Sequence, residues 1–167
     1  SVRLASRDAK GGHVPAIAGL HNAAAGALTA RFGQGHWSSL VTERGVLSSL
    51  RHAHVRLGRS GRRVVTVLRL ARKKPWAIDV AYFTPATCPL YLTGMAVSVA
   101  DQGEGLGRLA IADAERVARD RTADAIRLDA YDAVAGAGPF YVKCGFSERG
   151  RVAYKGNPLV YYELLLT

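Results

Sequence analysis

The sequence is poor in sulfur and contains no long apolar run. Only two cysteines occur among its 167 residues, Cys88 and Cys144, too few for a framework of disulfides. No histidine stands at ligand spacing beside them, so no metal site is predicted. No apolar run approaches the roughly 18 residues that a membrane-spanning helix needs. These absences predict reduced cysteines, no metal and no membrane partner, and we expect a cytoplasmic protein.

Acidic residues are scarce as well. There are 13 of them against 23 Lys and Arg, which gives a net charge of +10 and favours an anionic ligand. Many cations lie among apolar residues in 51–74, a spacing typical of the solvated edge of a hairpin. No recognition motif accompanies the charge, so nucleic acid is not favoured as a partner. Residues 1–12 lack a long apolar segment after their basic residues, so we expect no signal peptide.

Apolar periodicity predicts alternating helices and strands. Helical spacing is found in four segments, at 13–32, 35–50, 107–120 and 138–146. Extended patterns are found at 2–6, 53–59, 62–71, 76–83, 89–99, 124–131, 151–156 and 158–166. At 76–83 a helix is the alternative. The strand at 124–131 follows a crossover helix, so we expect it to pair parallel to the strand at 89–99. The pattern predicts one α/β domain with an antiparallel front half and a central parallel βαβ step.

Local signals refine these boundaries. Ser38 or Ser39 is a candidate N-cap for the second helix, and Gly45 is expected to interrupt it. Hairpin turns are predicted at Ser60-Gly61 and around Gly156-Asn157. In the helix at 107–120 and the residue before it, one apolar stripe is expected to face the core: Leu106, Leu109, Ala110, Ala114, Val117 and Ala118.

Three glycines alternate between the strand at 89–99 and the following helix, at Gly103, Gly105 and Gly107. The first N–H groups of a helix lack intrahelical partners, so a glycine-rich turn in front of them suits phosphate oxygens. A Walker A loop is excluded because no Gly-Lys-Ser/Thr occurs. The dinucleotide pattern fails because Arg108 stands where its last glycine would be. Tight packing of helix on strand is the alternative role for these glycines.

The stretch QGEGLG resembles the Q/R-x-x-G-x-G/A signature of the Gcn5-related N-acetyltransferases (GNAT). Met95–Val97 matches the strand before that signature, and Phe140–Phe146 matches the family pattern F-Y-x-K-x-G-F. The resemblance is strong over 90–147. It implies a mixed, mostly antiparallel sheet with splayed strands and helices on both faces. A single domain 1–167 would then comprise a variable acceptor-side half at 1–89, the acetyl-CoA core at 90–147 and a C-terminal hairpin at 148–167.

This resemblance also implies acetyl-CoA as co-substrate and a ternary complex in which a primary amine attacks directly. Tyr141 matches the general acid that protonates the departing thiolate. An N–H near Val97 would polarise the thioester carbonyl, worth roughly 3–4 kcal/mol in such a position. The implied coenzyme-binding residues are Met95, Ala96, Val97, Gln102, Gly103, Glu104, Gly105, Leu106, Gly107 and Arg108.

The acceptor side is less defined. Asp129 stands where some members carry a catalytic carboxylate, although such residues are often structural. Asp132 and Asp79 are further candidates for the base. His36, Trp37 and Asp79 are candidates for an acceptor pocket, with a packed loop anchor as the alternative for the aromatic. Val134 replaces an Asn that often contacts the pantetheine, which leaves catalytic activity open. The expected acceptor is a small-molecule or peptide amine and the expected state a monomer or homodimer. The alternative function is a non-catalytic CoA-binding regulatory module.

Overall fold

A computed structural model describes residues 2–167 of the chain. It has a mixed α/β fold with seven strands and four α-helices among those residues. In chain order they are β1 Ala5–Asp8, α1 Val14–Phe32, α2 Glu43–His52, β2 His54–Ser60, β3 Arg63–Ala71, β4 Pro89–Val97, α3 Leu106–Asp120, β5 Ala125–Tyr131, α4 Gly138–Lys143, β6 Ser147–Tyr154 and β7 Asn157–Leu165.

The strands form one sheet in the order β1-β2-β3-β4-β5-β7-β6. The β1–β2, β2–β3, β5–β7 and β6–β7 pairs are antiparallel. The predicted parallel step is confirmed, because Pro89–Tyr91 of β4 pairs parallel with Ala125–Arg127 of β5. The fold class expected from the sequence is therefore correct.

Two compact units can be distinguished within the chain. Unit 1 comprises residues 1–70 and 93–114, and unit 2 comprises 71–92 and 115–167. The boundaries divide β4 after Leu92 and α3 after Ala114, so each unit contains part of both elements.

Unit 1 is built around α1, which is Ala-rich and begins with a proline in its first turn. Its inner face contributes Val14, Ile17, Ala18 and Leu20 to a cluster completed by Val46, Val55, Val67 and Ala96. Residues 67 and 69 of β3 point to one face of the strand, because side chains alternate along it. The side of β3 that faces α1 therefore also carries residue 69.

The predicted start of α2 is wrong. Thr42 is its N-cap, with a hydroxyl that accepts from the Gly45 N–H at 3.0 Å, and Gly45 lies inside the helix. Ser38 instead accepts from the Gly35 N–H at 3.0 Å, in a 3-10 turn at His36–Ser38. Several hydroxyls precede the helix, and the pattern alone does not select among them.

Unit 2 has a core of Ile78, Phe83, Tyr91 and Tyr161. The Tyr161 hydroxyl donates to the Ala77 carbonyl and accepts from the Asp79 N–H at 3.1 Å. This anchor holds 76–83 in a compact loop with a 3-10 turn at Val80–Tyr82, so the extended segment predicted there is wrong. An alternating apolar pattern is equally compatible with a loop that packs on a core.

Three smaller expectations are corrected. The hairpin turns lie one residue from their predicted places, since Ser60 pairs with Arg63 and Tyr154 with Asn157. On α3, Leu109 is exposed, and Ile111 is buried instead. The first strand begins at Ala5 rather than at residue 2.

The two outer strands of the sheet, β1 and β6, are short or irregular. β1 has four residues. β6 is interrupted by a register shift between Glu148 and Gly150, and its Arg151 forms ion pairs with Glu148 and Asp132 at 2.8 Å each. One edge of the sheet is therefore short, and the other is irregular and charged.

Candidate functional site

The glycine-rich loop connects β4 to α3 within unit 1. Gly103 and Gly105 adopt φ angles of +82° and +84°, the left-handed region that favours glycine. A Cβ at either position would meet no atom within 4 Å. Close packing of helix on strand therefore does not explain these two glycines. The loop from Gln102 to Gly105 is exposed, so its backbone is accessible to a ligand.

The helix that follows supports an anion site. α3 starts at Leu106 and has no acidic residue in its first turn, so its positive dipole end is not neutralised there. Its first N–H groups have no carbonyl four residues earlier within the helix. Arg108 lies exposed in this first turn and adds a cation. The backbone N–H groups, the helix dipole and the Arg108 side chain thus all favour a negatively charged ligand.

Side chains hold the N-terminal end of the loop in place. Gln102 donates its side-chain amide to the carbonyl of Val97, at 3.3 Å, which ties the loop to the last residue of β4. Asp101 accepts two hydrogen bonds from Arg63, at 2.7 and 3.1 Å. The Arg63 guanidinium thereby lowers the pKa of the Asp101 carboxyl. The glutamine of the signature thus fixes the loop to its strand.

The end of β4, just before the loop, has one buried residue between two that are partly buried. Ala96 is buried in the unit 1 cluster, whereas Met95 and Val97 are partly buried. The Ser98 N–H donates to the Val65 carbonyl at 2.7 Å, which secures the end of β4 against β3. The predicted coenzyme residues 95–97 and 102–108 are therefore parts of one continuous, braced segment.

Tyr141 lies in unit 2, on the short helix α4. The side chain is buried and packs against three rings, those of Phe140, Phe146 and Tyr162. Burial raises the pKa of its phenol well above the ordinary value, and Cys144 and Asp129 add to the rise. The hydroxyl therefore retains its proton at neutral pH.

Asp129 lies on β5 and is partly buried. Burial raises the pKa of its carboxyl, so it is a stronger base than an exposed aspartate. It is paired across the sheet with Tyr161, so these two side chains share a face, while Tyr162, against which Tyr141 packs, points to the other. Asp129 is still close enough to influence the pKa of Tyr141. The structure thus brings these two predicted residues near one another within unit 2.

The predicted acceptor-pocket residues have structural contacts. The Trp37 indole N–H donates to the Gly33 carbonyl at 3.0 Å, and its ring covers Gly35 so closely that a Cβ there would overlap the ring. His36 is exposed. The Asp79 carboxylate accepts from the Ala81 N–H at 3.0 Å and caps the 3-10 turn. These contacts match a loop anchor and a turn cap, and an acceptor role stays a prediction.

In unit 1, β3 and β4 carry a feature that the sequence pattern alone did not predict. Gly94 interrupts the apolar run of β4 with a φ of +58°, and the guanidinium of Arg69 lies over its Cα. His21 of α1 is close enough that Arg69 lowers its pKa. An isolated glycine within a strand pattern is a signal of a bulge or a close approach, and Gly94 carries that signal.

Over residues 2–167, no cluster of three or more His, Cys, Asp or Glu side chains could hold a metal ion. Within the same residues, no helix is both long and apolar enough to cross a membrane.

Comparison with known proteins defines the class. Residues 73–146 match the model of the Acetyltransferase (GNAT) family, a stretch that contains both the glycine loop and the FYVKCGF motif. Over this stretch the chain is similar to the GNAT family, and the resemblance drawn from the two motifs is confirmed. No curated protein matches the chain in sequence.

Solved structures extend the likeness to the whole fold. A ribosomal-protein-alanine N-acetyltransferase from Brucella melitensis is similar at a TM-score of 0.74 and 18% identity, over 97% of this chain and 99% of that one. An N-acetyltransferase from Staphylococcus aureus Mu50 gives 0.73 and 15%, over 99% and 100%. A putative acetyltransferase from Salmonella typhimurium, solved with its cofactor acetyl-CoA, gives 0.71 and 17%, over 98% and 94%. The fold of this chain is therefore the GNAT fold.

Proposed function

We propose that this protein is an acetyl-CoA-dependent N-acetyltransferase that moves the acetyl group to a primary amine by direct attack. The observation that carries the proposal is the loop at 102–105, where two left-handed glycines face open space in front of a helix without acids in its first turn. That arrangement suits a pyrophosphate, which needs close approach to backbone N–H groups.

The donor set of this segment fits the coenzyme. Backbone N–H groups of residues 103–108 would bind the pyrophosphate, and Arg108 would add a charge-assisted hydrogen bond. The residues Met95–Val97 would bind the pantetheine arm through their backbone, and an N–H near Val97 would stabilise negative charge on the carbonyl oxygen. When bound, acetyl-CoA supplies an activated acetyl thioester.

Tyr141 is proposed as the general acid. Its raised pKa keeps the phenol protonated, so the hydroxyl can donate its proton to a departing thiolate. A thiol has a pKa of about 8.5, so the leaving group is already stable and the acid needs only to be close.

Asp129 is proposed as the base that takes the proton of the attacking amine. An amine of lysine type is neutral at pH 7 at a cost of roughly 4–5 kcal/mol, so a nearby base helps. The raised pKa of Asp129 supports this role. Asp129 lies close enough to Tyr141 to influence its pKa, so both groups belong to the same region of unit 2.

The setting proposed for this activity is the cytoplasm, with a small-molecule or peptide amine as acceptor and the protein as monomer or homodimer. Two thiols, Cys88 and Cys144, support a reducing environment. His36, Trp37 and Asp79 are kept as proposed neighbours of the acceptor.

Calorimetric titration with acetyl-CoA tests the proposal. We expect micromolar binding to the wild type and none to Gly105→Glu, whose carboxylate would occupy the phosphate position. Gly61→Glu is the matched control, because Gly61 also has a positive φ and also faces open space, in the β2–β3 turn. A folded wild type that does not bind acetyl-CoA contradicts the proposed function.

Turnover of the Tyr141→Phe variant separates an enzyme from a coenzyme sensor. We expect kcat to fall by roughly 10²- to 10⁴-fold while acetyl-CoA affinity is retained. Tyr154→Phe, which removes a hydroxyl from β6, should leave kcat unchanged. Acetyl-CoA binding without turnover of any amine by the wild type would favour the regulatory module instead.

A further inference from the structure

Arg69 on β3 forms no ion pair with a carboxylate of residues 2–167, and it lies next to the segment proposed to bind the coenzyme. Its side chain is partly buried, and its Nε is buried with no hydrogen-bond partner among those residues. Burial lowers the pKa of the guanidinium, and no carboxylate opposes this effect. A desolvated cation costs several kcal/mol unless an anion pairs with it. The protein thus maintains an unpaired positive charge at this position in unit 1.

The backbone of β4 is shaped to admit this guanidinium. At Gly94 a Cβ would lie 2.7 Å from the Nε of Arg69 and 2.8 Å from one of its terminal nitrogens, so any side chain here would displace the cation. The positive φ of Gly94 independently disfavours other residues. Gly94 immediately precedes Met95, so the cation lies within a few residues of the proposed thioester site.

His21 supplies a second polar group beside the arginine. Burial and the charge of Arg69 lower the pKa of its imidazole to about 4, so the ring is neutral near pH 7. A neutral imidazole carries one N–H donor. The pair therefore offers the planar donors of a guanidinium and a further N–H donor, an arrangement that suits a carboxylate.

We infer that Arg69 and His21 bind a carboxylate of the acceptor, so that the acceptor is an amine that also carries a carboxylate. This inference rests on the proposed function and adds a substrate class to it. Gly94 lies one to three residues from Met95–Val97, roughly 3–10 Å at about 3.3 Å per residue. The amine and carboxylate of the acceptor should be separated by no more than that distance. Free amino acids meet this condition, whereas polyamines and aminoglycosides have no carboxylate.

Binding of product-like probes tests the inference without turnover. The probes are N-acetyl derivatives of glycine, leucine and phenylalanine, each with its matching amide, added to ¹⁵N-labelled protein in the presence of coenzyme A. We expect at least one N-acetyl amino acid to shift the Arg69 Nε–H and Gly94 amide signals. Its affinity, measured from these shifts, should be at least tenfold higher than that of its amide. Equal affinity of acids and amides, or no shift of the Arg69 signal by any probe, overturns the inference.

Variants tie the preference to this site. Arg69→Gln should abolish the preference for acids over amides, and Arg69→Lys, which retains the charge but not the fork, should keep part of it. Arg62→Gln is the control, since it removes the same charge from an exposed position in the β2–β3 turn. Persistence of the acid preference in a folded Arg69→Gln protein contradicts the inference.

Kinetic measurements distinguish a failure of the carboxylate site from a failure of the proposed function. With amino-acid acceptors, Arg69→Gln should raise KM at least tenfold while calorimetric affinity for acetyl-CoA is unchanged. If acetyl-CoA binds and amino acids are acetylated no better than their amides, the carboxylate site is refuted while the acetyltransferase stands. If acetyl-CoA does not bind at all, the proposed function itself fails.

Discussion

At the scale of single residues, the most unusual titrating group is His21. Its imidazole has a pKa of about 4 in the folded protein, while an exposed histidine titrates near 6.5. Between these values the unfolded chain binds a proton that the folded chain does not. The free energy of unfolding should therefore fall as the pH drops from 6.5 toward 4.

Replacement of this ring isolates the effect. We predict that the wild type loses about 2 kcal/mol more than His21→Gln between pH 7 and pH 4.5, because glutamine does not titrate. Urea unfolding of both proteins at the two pH values measures the difference. Equal losses would show that the ring is solvated and titrates normally in the folded state.

At the scale of elements, the start of α2 depends on a single side chain. We predict that Thr42→Ala lowers the free energy of unfolding by about 1 kcal/mol, because the Gly45 N–H loses its acceptor. Ser39→Ala, at a position that the sequence also allowed as a cap, should change it by less than about 0.5 kcal/mol. Chemical denaturation of the two variants measures both values, and a larger loss for Ser39→Ala would place the cap elsewhere.

Elements with strong local signals could be predicted from the sequence. α1, the β4–α3 step and α4 are marked by helical periodicity, glycine and proline positions, and all three exist in the structure. The loop at 76–83 could not be predicted, because its shape depends on Tyr161, some 80 residues further along the chain. The same holds for the site of Arg69, where His21 and Gly94 come from distant segments. The sequence shows only a cation in an apolar strand there.

The residues of the candidate site also fall into two sets, one contiguous in the sequence and one brought together from distant segments. The segment proposed to bind the coenzyme, at 102–108, is contiguous, so a short motif is sufficient to propose it. The acceptor side depends on contacts between elements, so no short motif marks it. Asp79 illustrates the difference, since a carboxylate that appears available in the sequence caps a turn in the structure.

At the scale of the whole molecule, the two units share β4 and α3. Neither unit contains either element complete, so each should lose structure when the other unfolds. We predict one cooperative transition, in keeping with the single domain expected for 1–167. Native-state amide exchange should give the same free energy of opening for α1 of unit 1 and β7 of unit 2. A difference of more than about 2 kcal/mol would show that the units unfold separately.

The outer strands of the sheet have a consequence for aggregation. A long, flat edge strand is a template on which another chain can add by backbone hydrogen bonding. Here β1 offers four residues, and β6 is bent between Glu148 and Gly150 and carries paired charges. Molecules of the folded protein should therefore add poorly to one another edge to edge, even at concentrations where a flat, apolar edge would begin a fibril.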